Sequence, residues 1–331
     1  MSTKSAITYF LCGGTGINLG LAIKEGARTQ QNKTANMVGL DASGANAANG
    51  LFPVEYISAA GGGEEMARGS GKKKMANYEK AIPFVAAVLS KHKPSSYNIV
   101  ISNSAGGTGS MLATLVFRAL AKMGVPTVLC IIGDHTSTIE FANSVGTMRS
   151  MANQTKKEHL DAPLAFLGCN NTVDFTRGEV NKQVVERLNL LSLFMTETNG
   201  EMDYADFANF LQYSKVADVP PAMSEITFYD QDSAKDYVGK TPVAVASLFS
   251  SSDEVIPVFP GTTYRTTGVF AADAARPAKI TQLHMCLDHG EAIEKLEQQM
   301  QKLADHRNEV AVAYTKQKDL GDTGNDCGMI L

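Results

Sequence analysis

Residues 97–123, YNIVISNSAGGTGSMLATLVFRALAKM, decide the fold. The first part, Tyr97–Ser102, is a short apolar run of the length of a buried strand. The last part, Met111–Met123, carries apolar residues at helical spacing. Between them stands Ala105-Gly106-Gly107-Thr108-Gly109-Ser110, a glycine turn joining strand to helix. Glycine lets a backbone approach an anion closely and adopt positive φ. The amides that open the following helix, at the positive end of its dipole, bind phosphate. This turn is therefore a candidate phosphate cradle.

The same grammar recurs upstream. Ile7–Cys12 reads as a buried strand, Gly13-Gly14-Thr15-Gly16 as a turn, and Ile17–Gly26 as a short helix. Met37–Asp41, Pro126–Ile132 and Pro163–Gly168 read as further strands. Glu79–Ser90 reads as a helix in which Pro83 is tolerable only in the first turn. Strand, loop and helix repeated this often predict an α/β fold, a doubly wound parallel sheet whose ligand lies at the carboxyl ends of its strands. Two phosphate-type turns on one sheet argue more strongly than either alone. A third cluster, Gly61-Gly62-Gly63 through Arg68-Gly69-Ser70-Gly71-Lys72, fails the Walker A spacing, because Met66 and Lys73 stand where Gly and Ser or Thr belong. It reads either as a loop closing over a terminal phosphate or as plain surface loop.

Arg177–Met195 predicts one long helix, one-sided at first and apolar almost all round from Leu190, as expected of a helix buried between two bodies. Asn199-Gly200 is its stop signal. Beyond it, Glu225–Tyr229, Val243–Phe249, Tyr264–Phe270 and Ile280–Leu287 read as strands of a smaller α/β unit, and His289–Lys318 as an amphipathic helix. The expected organisation is a nucleotide-binding domain over 1–176, a connecting helix over 177–200, a second domain over 201–288, a terminal helix over 289–318 and an acidic tail over 319–331.

Composition narrows the function. The 331 residues carry 30 Lys and Arg against 34 Asp and Glu, a net charge of −4. That mild acidity excludes a chain whose first task is coating nucleic acid or anionic membrane, so neither is expected as a partner. Mean hydropathy is −0.10, and no run of about 18 apolar residues predicts a membrane span. Five widely spaced cysteines include no CxxC pair and predict neither a disulfide framework nor a metal site. A nicotinamide-dependent oxidoreductase is the rival reading. Gly14, Gly16 and Gly20 approximate a dinucleotide fingerprint with Asp41 at the ribose position, but Leu19 holds the third glycine's place.

Ala105–Ser110 resembles the GGGTGSG signature of the tubulin/FtsZ superfamily, and the resemblance runs in order along nearly the whole chain. Gly13-Gly14-Thr15-Gly16-Ile17-Asn18 resembles the family's first nucleotide loop. Asp41 falls at the second loop, Gly61–Lys72 at the third, and Gly133–Glu140 at the fifth. Asn171 and Asn181 match two asparagines that contact the guanine base, which suits an amide offering both a donor and an acceptor. Glu140 is a candidate for the ribose hydroxyls, although a solvated helix acid reads the same. Met202-Asp203-Tyr204-Ala205-Asp206 resembles the loop whose acids serve hydrolysis, with Glu201 departing from its asparagine. The third loop, terminal helix and tail resemble the PhuZ-type tubulins of giant Pseudomonas bacteriophages.

The resemblance implies a GTPase that binds GTP or GDP with Mg²⁺ through Gly13, Gly14, Thr15, Gly16, Asn18, Asp41, Gly106, Gly107, Thr108, Gly109, Ser110, Glu140, Asn171 and Asn181. It implies catalysis by Asp203 and Asp206, which otherwise read as first-turn helix acids. It also implies dynamic filaments that position phage DNA in the cytoplasm of the infected host, with the acidic tail docked on the neighbouring subunit. One consequence is geometric. A helix rising about 1.5 Å per residue puts Asn181 and Asp203 on the order of 30 Å apart, so acids at its far end act only on a nucleotide carried by another chain.

Overall fold

The computed structural model describes residues 6–46, 48–57, 77–196, 199–234, 241–251, 259 and 261–289, and, beyond these, 293–295, 297–299, 301, 302 and 305. The third glycine cluster and the tail expected over 319–331 lie outside the described residues.

One ten-stranded sheet organises the chain, in the order β3-β2-β1-β4-β5-β6-β7-β10-β8-β9. The first six strands are β1 (Ile7–Cys12), β2 (Asn36–Asp41), β3 (Val54–Tyr56), β4 (Tyr97–Asn103), β5 (Thr127–Asp134) and β6 (Leu164–Asn171). They pair in parallel in the order of a doubly wound nucleotide-binding sheet. The ladder continues through β7 (Met223–Asp230), which pairs in parallel with β6 at Leu164↔Met223 to Phe166↔Glu225. Then β10 (Gln282–His289) runs antiparallel between β7 and β8 (Ala244–Phe249), and β9 (Tyr264–Val269) closes the edge.

Both faces are covered, which is why the central strands are unbroken apolar runs without alternation. All six residues of β1 are buried. On one face α1 (Gly13–Gly26) and α6 (Arg177–Phe194) pack Ile17, Ile23, Val184, Leu188 and Leu191 against Tyr9, Ile99 and Leu167. The four-residue helix α2 (Gln30–Lys33) joins this layer. On the other face α3 (Tyr78–Lys91), α4 (Gly107–Lys122) and α5 (Thr138–Gln154) pack Val85, Leu112, Val116, Leu120, Met148 and Met151 against Phe10, Val100 and Leu129. A short helix, α7 (Tyr204–Leu211), follows α6.

Several boundaries differ from the sequence expectation, each for a physical reason. α1 begins at Gly13 and α4 at Gly107, four residues before the expected starts, because most of the glycines adopt helical geometry. Of the two turns, positive φ occurs at Gly13 alone (71°). α3 passes through Pro83 in its second turn. Pro83 and Glu79 are exposed there, so the carbonyl that the missing N–H leaves lies on the solvent side, while Ala81, Val85, Val88 and Leu89 anchor the opposite side. α6 stops at Phe194, and Asn199 donates its side-chain amide back to the Leu193 carbonyl at 2.7 Å. His289 is the last residue of β10, and the described helical residues beyond it begin at Ile293.

Candidate functional site

The strand order reverses between β1 and β4, the position at which doubly wound sheets bind ligands. Both glycine turns lie there and interlock. A Cβ on Gly13 would stand 2.8 Å from the Gly109 Cα, and one on Gly109 would stand 2.8 Å from the Cys12 carbonyl oxygen. A Cβ on Gly16 would meet the Ile101 carbonyl oxygen at 2.8 Å. Every one of these neighbours is backbone and cannot yield. The result is two helix N-termini, α1 and α4, held side by side with their first-turn amides at one edge of the sheet. Gly14 and Thr15 are half-buried there and Asn18 is exposed.

Polar side chains fix the shape of this edge. Asn103, the last residue of β4, accepts hydrogen bonds through Oδ1 from the amides of Ala105 (2.7 Å) and Gly106 (3.2 Å), which bends the chain into α4. The Ser110 hydroxyl turns inward to the carbonyls of Gly106 and Gly107, and Thr108 is buried beside it. Asp41 is 4 % exposed at the end of β2. Its carboxylate accepts from the Ala42 amide (2.7 Å) and from the Asn46 side chain (2.9 Å). Asn46 in turn lies against Gly14, where any Cβ would meet its amide nitrogen at 2.6 Å. Cys12 is a buried core thiol. Burial first, and the nearby Asp41 carboxylate second, push its pKa up, so it is no nucleophile.

Neither Asn46 nor Asn103 was singled out in the sequence. An Asx turn at Asn103, three residues before a glycine run, was the available signal for the second; the first had none.

The remaining expected nucleotide residues line the same edge. Asn171 ends β6, and its carbonyl accepts from the His135 amide at 2.9 Å, joining the ends of β5 and β6. Asn181 is half-buried in the second turn of α6. Glu140 lies in the first turn of α5, where its carboxylate accepts from the hydroxyls of Thr136 and Ser137 at 3.0 Å each. The helix-acid geometry of Glu140 is thus present.

Asp203 and Asp206 lie elsewhere. They form a reciprocal capping box on α7, each carboxylate accepting the other's amide at 3.0 Å. The ring of Tyr204, between them, packs 5.5 Å from that of Tyr97, and Phe207 meets the same ring edge-on. Tyr97 begins β4, whereas Asn103 ends it at the glycine turn. Seven residues at about 3.3 Å each separate those ends by roughly 20 Å before any loop is added. The acids therefore occupy the amino edge of the sheet and the glycine turns its carboxyl edge.

No family model matches the chain. A phage tubulin-like protein from Pseudomonas phage PhiPA3 is 21 % identical over 289 residues, spanning 86 % of this chain and 85 % of that protein. The structure of a TubZ protofilament from bacteriophage PhiKZ superposes with a TM-score of 0.79 at 21 % identity, covering 99 % of this chain and 96 % of that one. The GDP complex of the phage tubulin PhuZ superposes with a TM-score of 0.75 at 18 % identity, covering 98 % and 95 %. The fold is that of the tubulin/FtsZ superfamily, and the chain is similar to phage tubulins.

Proposed function

We propose that this chain, a tubulin/FtsZ-fold protein similar to phage tubulins, is a GTP-dependent filament-forming GTPase whose copies stack head to tail. One observation carries the reading. The interlocked glycine turns and the Asp203–Asp206 box lie at opposite edges of one sheet, too far apart for a side chain to bridge. GTP held at the carboxyl edge of one copy meets the acids at the amino edge of the next. That contact is heterologous and does not close, so it propagates as a filament.

The chain's own groups divide the work. The first-turn amides of α1 and α4, shaped by Asn103, cradle the phosphates. Asn171 and Asn181 read the base, and Glu140 reaches the ribose. When bound with the triphosphate, Mg²⁺ would supply neutralisation of the phosphate charge. Asp203 and Asp206 of the adjoining copy orient the attacking water. Hydrolysis weakens the contact it required, which makes the filament turn over. The family resemblance read from the sequence adds that the filament positions phage DNA in the host cytoplasm and that the acidic tail grips the adjoining copy.

A mixing experiment tests the arrangement. Thr15→Asp places a carboxylate in the phosphate cradle, at a helix start that tolerates it. Asp206→Asn keeps an oxygen acceptor for the capping box and removes the charge. Each variant alone releases no phosphate from GTP. An equal mixture regains about a quarter of the native rate, because about a quarter of contacts join an intact cradle to an intact acid. A silent mixture, or native turnover by Asp206→Asn alone, refutes the proposal.

A further inference from the structure

Two neighbouring strands carry bare positions on the same face. In the β5–β6 ladder Gly133 pairs with Asn170 and Ile131 with Gly168. Period-two alternation then puts Ile131, Gly133, Phe166, Gly168 and Asn170 on one side of the sheet. A parallel sheet covered on both faces ordinarily fills such positions with branched apolar side chains at crystal-like density. Beside these positions lies a cavity of about 180 Å³, walled by Ser144 and Met148 of α5 and by Lys295 and Gln299 of the C-terminal helix. Glycine inside a strand carries a conformational and packing cost, and it often marks a place where another molecule approaches the backbone.

The lining defines what fits. Ile131, Met148 and Phe166 supply an apolar wall. Asn170 leans across Gly133, whose Cβ position its side-chain oxygen overlies, and the Glu225 carboxylate stands 3.1 Å from the corresponding point on Gly168. The Nε2 of His135, shielded from solvent, has no hydrogen-bond partner among the described residues. Glu225 and Lys295 carry opposite charges, and burial lowers the His135 pKa, so the lining as a whole is neutral. A sealed apolar cavity of about 150 Å³ takes up benzene; this one offers similar room with a polar rim, opening past the exposed Asn170, Lys295 and Gln299. A six-membered ring with one small substituent therefore matches this one.

We propose that the cavity is a binding site for a neutral single-ring molecule carrying one O–H or N–H donor. The ring lies on Ile131, Met148 and Phe166, and the donor meets the Asn170 side-chain oxygen or the Glu225 carboxylate. The cavity borders the nucleotide edge, since Gly133 and His135 open the expected fifth loop, but it lies on the α5 side of the sheet, because Asn170 and Asn171 point to opposite faces by alternation. Its roof is the helix that Arg149 clamps to α5 through Glu297 at 2.7 Å, so an occupant ties that helix to the ends of β5 and β6. This inference stands whether or not the chain hydrolyses GTP.

Phenol is the probe, titrated into the full chain without nucleotide and followed by ligand-observed NMR. Saturable binding in the millimolar range is expected for so small a ligand. The Gly133→Ala/Gly168→Ala double variant fills the floor and weakens binding at least tenfold, with its thermal midpoint showing that it folds. Should the double variant not fold, Gly133→Ala alone serves, because its methyl displaces only the free end of Asn170. Saturating GDP leaves phenol binding unchanged. Absence of saturable binding, equal binding by the alanine variant, or displacement by GDP each overturns the proposal.

Discussion

Tyr204 packs its ring 5.5 Å from that of Tyr97 and so fastens the Asp203–Asp206 box to the amino end of β4. The Tyr264 hydroxyl adds a second attachment, donating to the Asp206 carbonyl at 3.2 Å from the edge strand β9. Because β4 delivers the glycine turn at its other end, a single strand sets the distance between the two halves of the proposed active site.

The interlocking of the turns makes a graded expectation. Gly109→Ala drives a methyl into the Cys12 carbonyl and Gly16→Ala drives one into the Ile101 carbonyl, at 2.8 Å in each case. Each is expected to cost about 3 kcal/mol or more and to abolish GTP binding. Gly124 has a φ of 71° but nothing within 4 Å of its Cβ position, so Gly124→Ala is expected to cost only about 1 kcal/mol and to spare binding. Urea unfolding and nucleotide titration of the three variants check this. Equal losses at the three positions would refute the claim that close backbone approach sets the cost of filling the turns.

A buried polar network joins α6 to α1 and α2. Asn189 Oδ1 accepts from the Arg28 amide and from the Asn32 side chain at 3.1 Å each, and Asn189 Nδ2 donates to the Gly26 carbonyl at 3.0 Å. Asn32 also accepts the Tyr9 hydroxyl at 2.6 Å. Asn189→Leu strands these partners away from water and is expected to cost about 2–4 kcal/mol, read as a lower urea midpoint. A loss under about 1 kcal/mol would mean that water replaces the missing amide.

His284 gives the fold an acid-sensitive point. It is fully buried, shares a hydrogen bond with Ser247 at 2.9 Å through Nδ1, and packs edge-on against Phe249 and Phe259. Burial chiefly, and the Arg265 guanidinium secondarily, lower its pKa from 6.5 to about 4, against an opposing pull from Asp230. The folded state thus disfavours the proton that the unfolded chain accepts. This contribution is complete above pH 6.5 and declines as pH falls toward 4, by about 3 kcal/mol at pH 4. His284→Leu is expected to flatten the urea midpoint across that window. An unchanged slope would remove His284 from the acid response.

The apolar strands were legible because burial on both faces writes itself as continuous runs, and Ile7–Cys12 has the same bounds in sequence and structure. The glycine turns were legible as turns but not as helix starts. The sequence shows that glycine permits unusual φ, not that Gly14, Gly16, Gly107 and Gly109 decline it. Asn46 and Asn103 act through side-chain bonds to backbone or to a carboxylate a few residues away, and such bonds leave no periodicity. The pairing of β6 with β7 joins residues more than fifty positions apart, and the hollow over Gly133 and Gly168 needs the facing helices to be placed. Neither is written locally.

The uninterrupted ladder from β3 to β9 has a mechanical consequence. Its strands run from the edge bearing the glycine turns toward the edge bearing Asp203, which is the direction in which stacked copies would pull on one another. Tension along that direction loads the inter-strand hydrogen bonds in shear, so that many must break together, rather than peeling them one at a time. A strained chain would part at its subunit contacts long before any subunit tore.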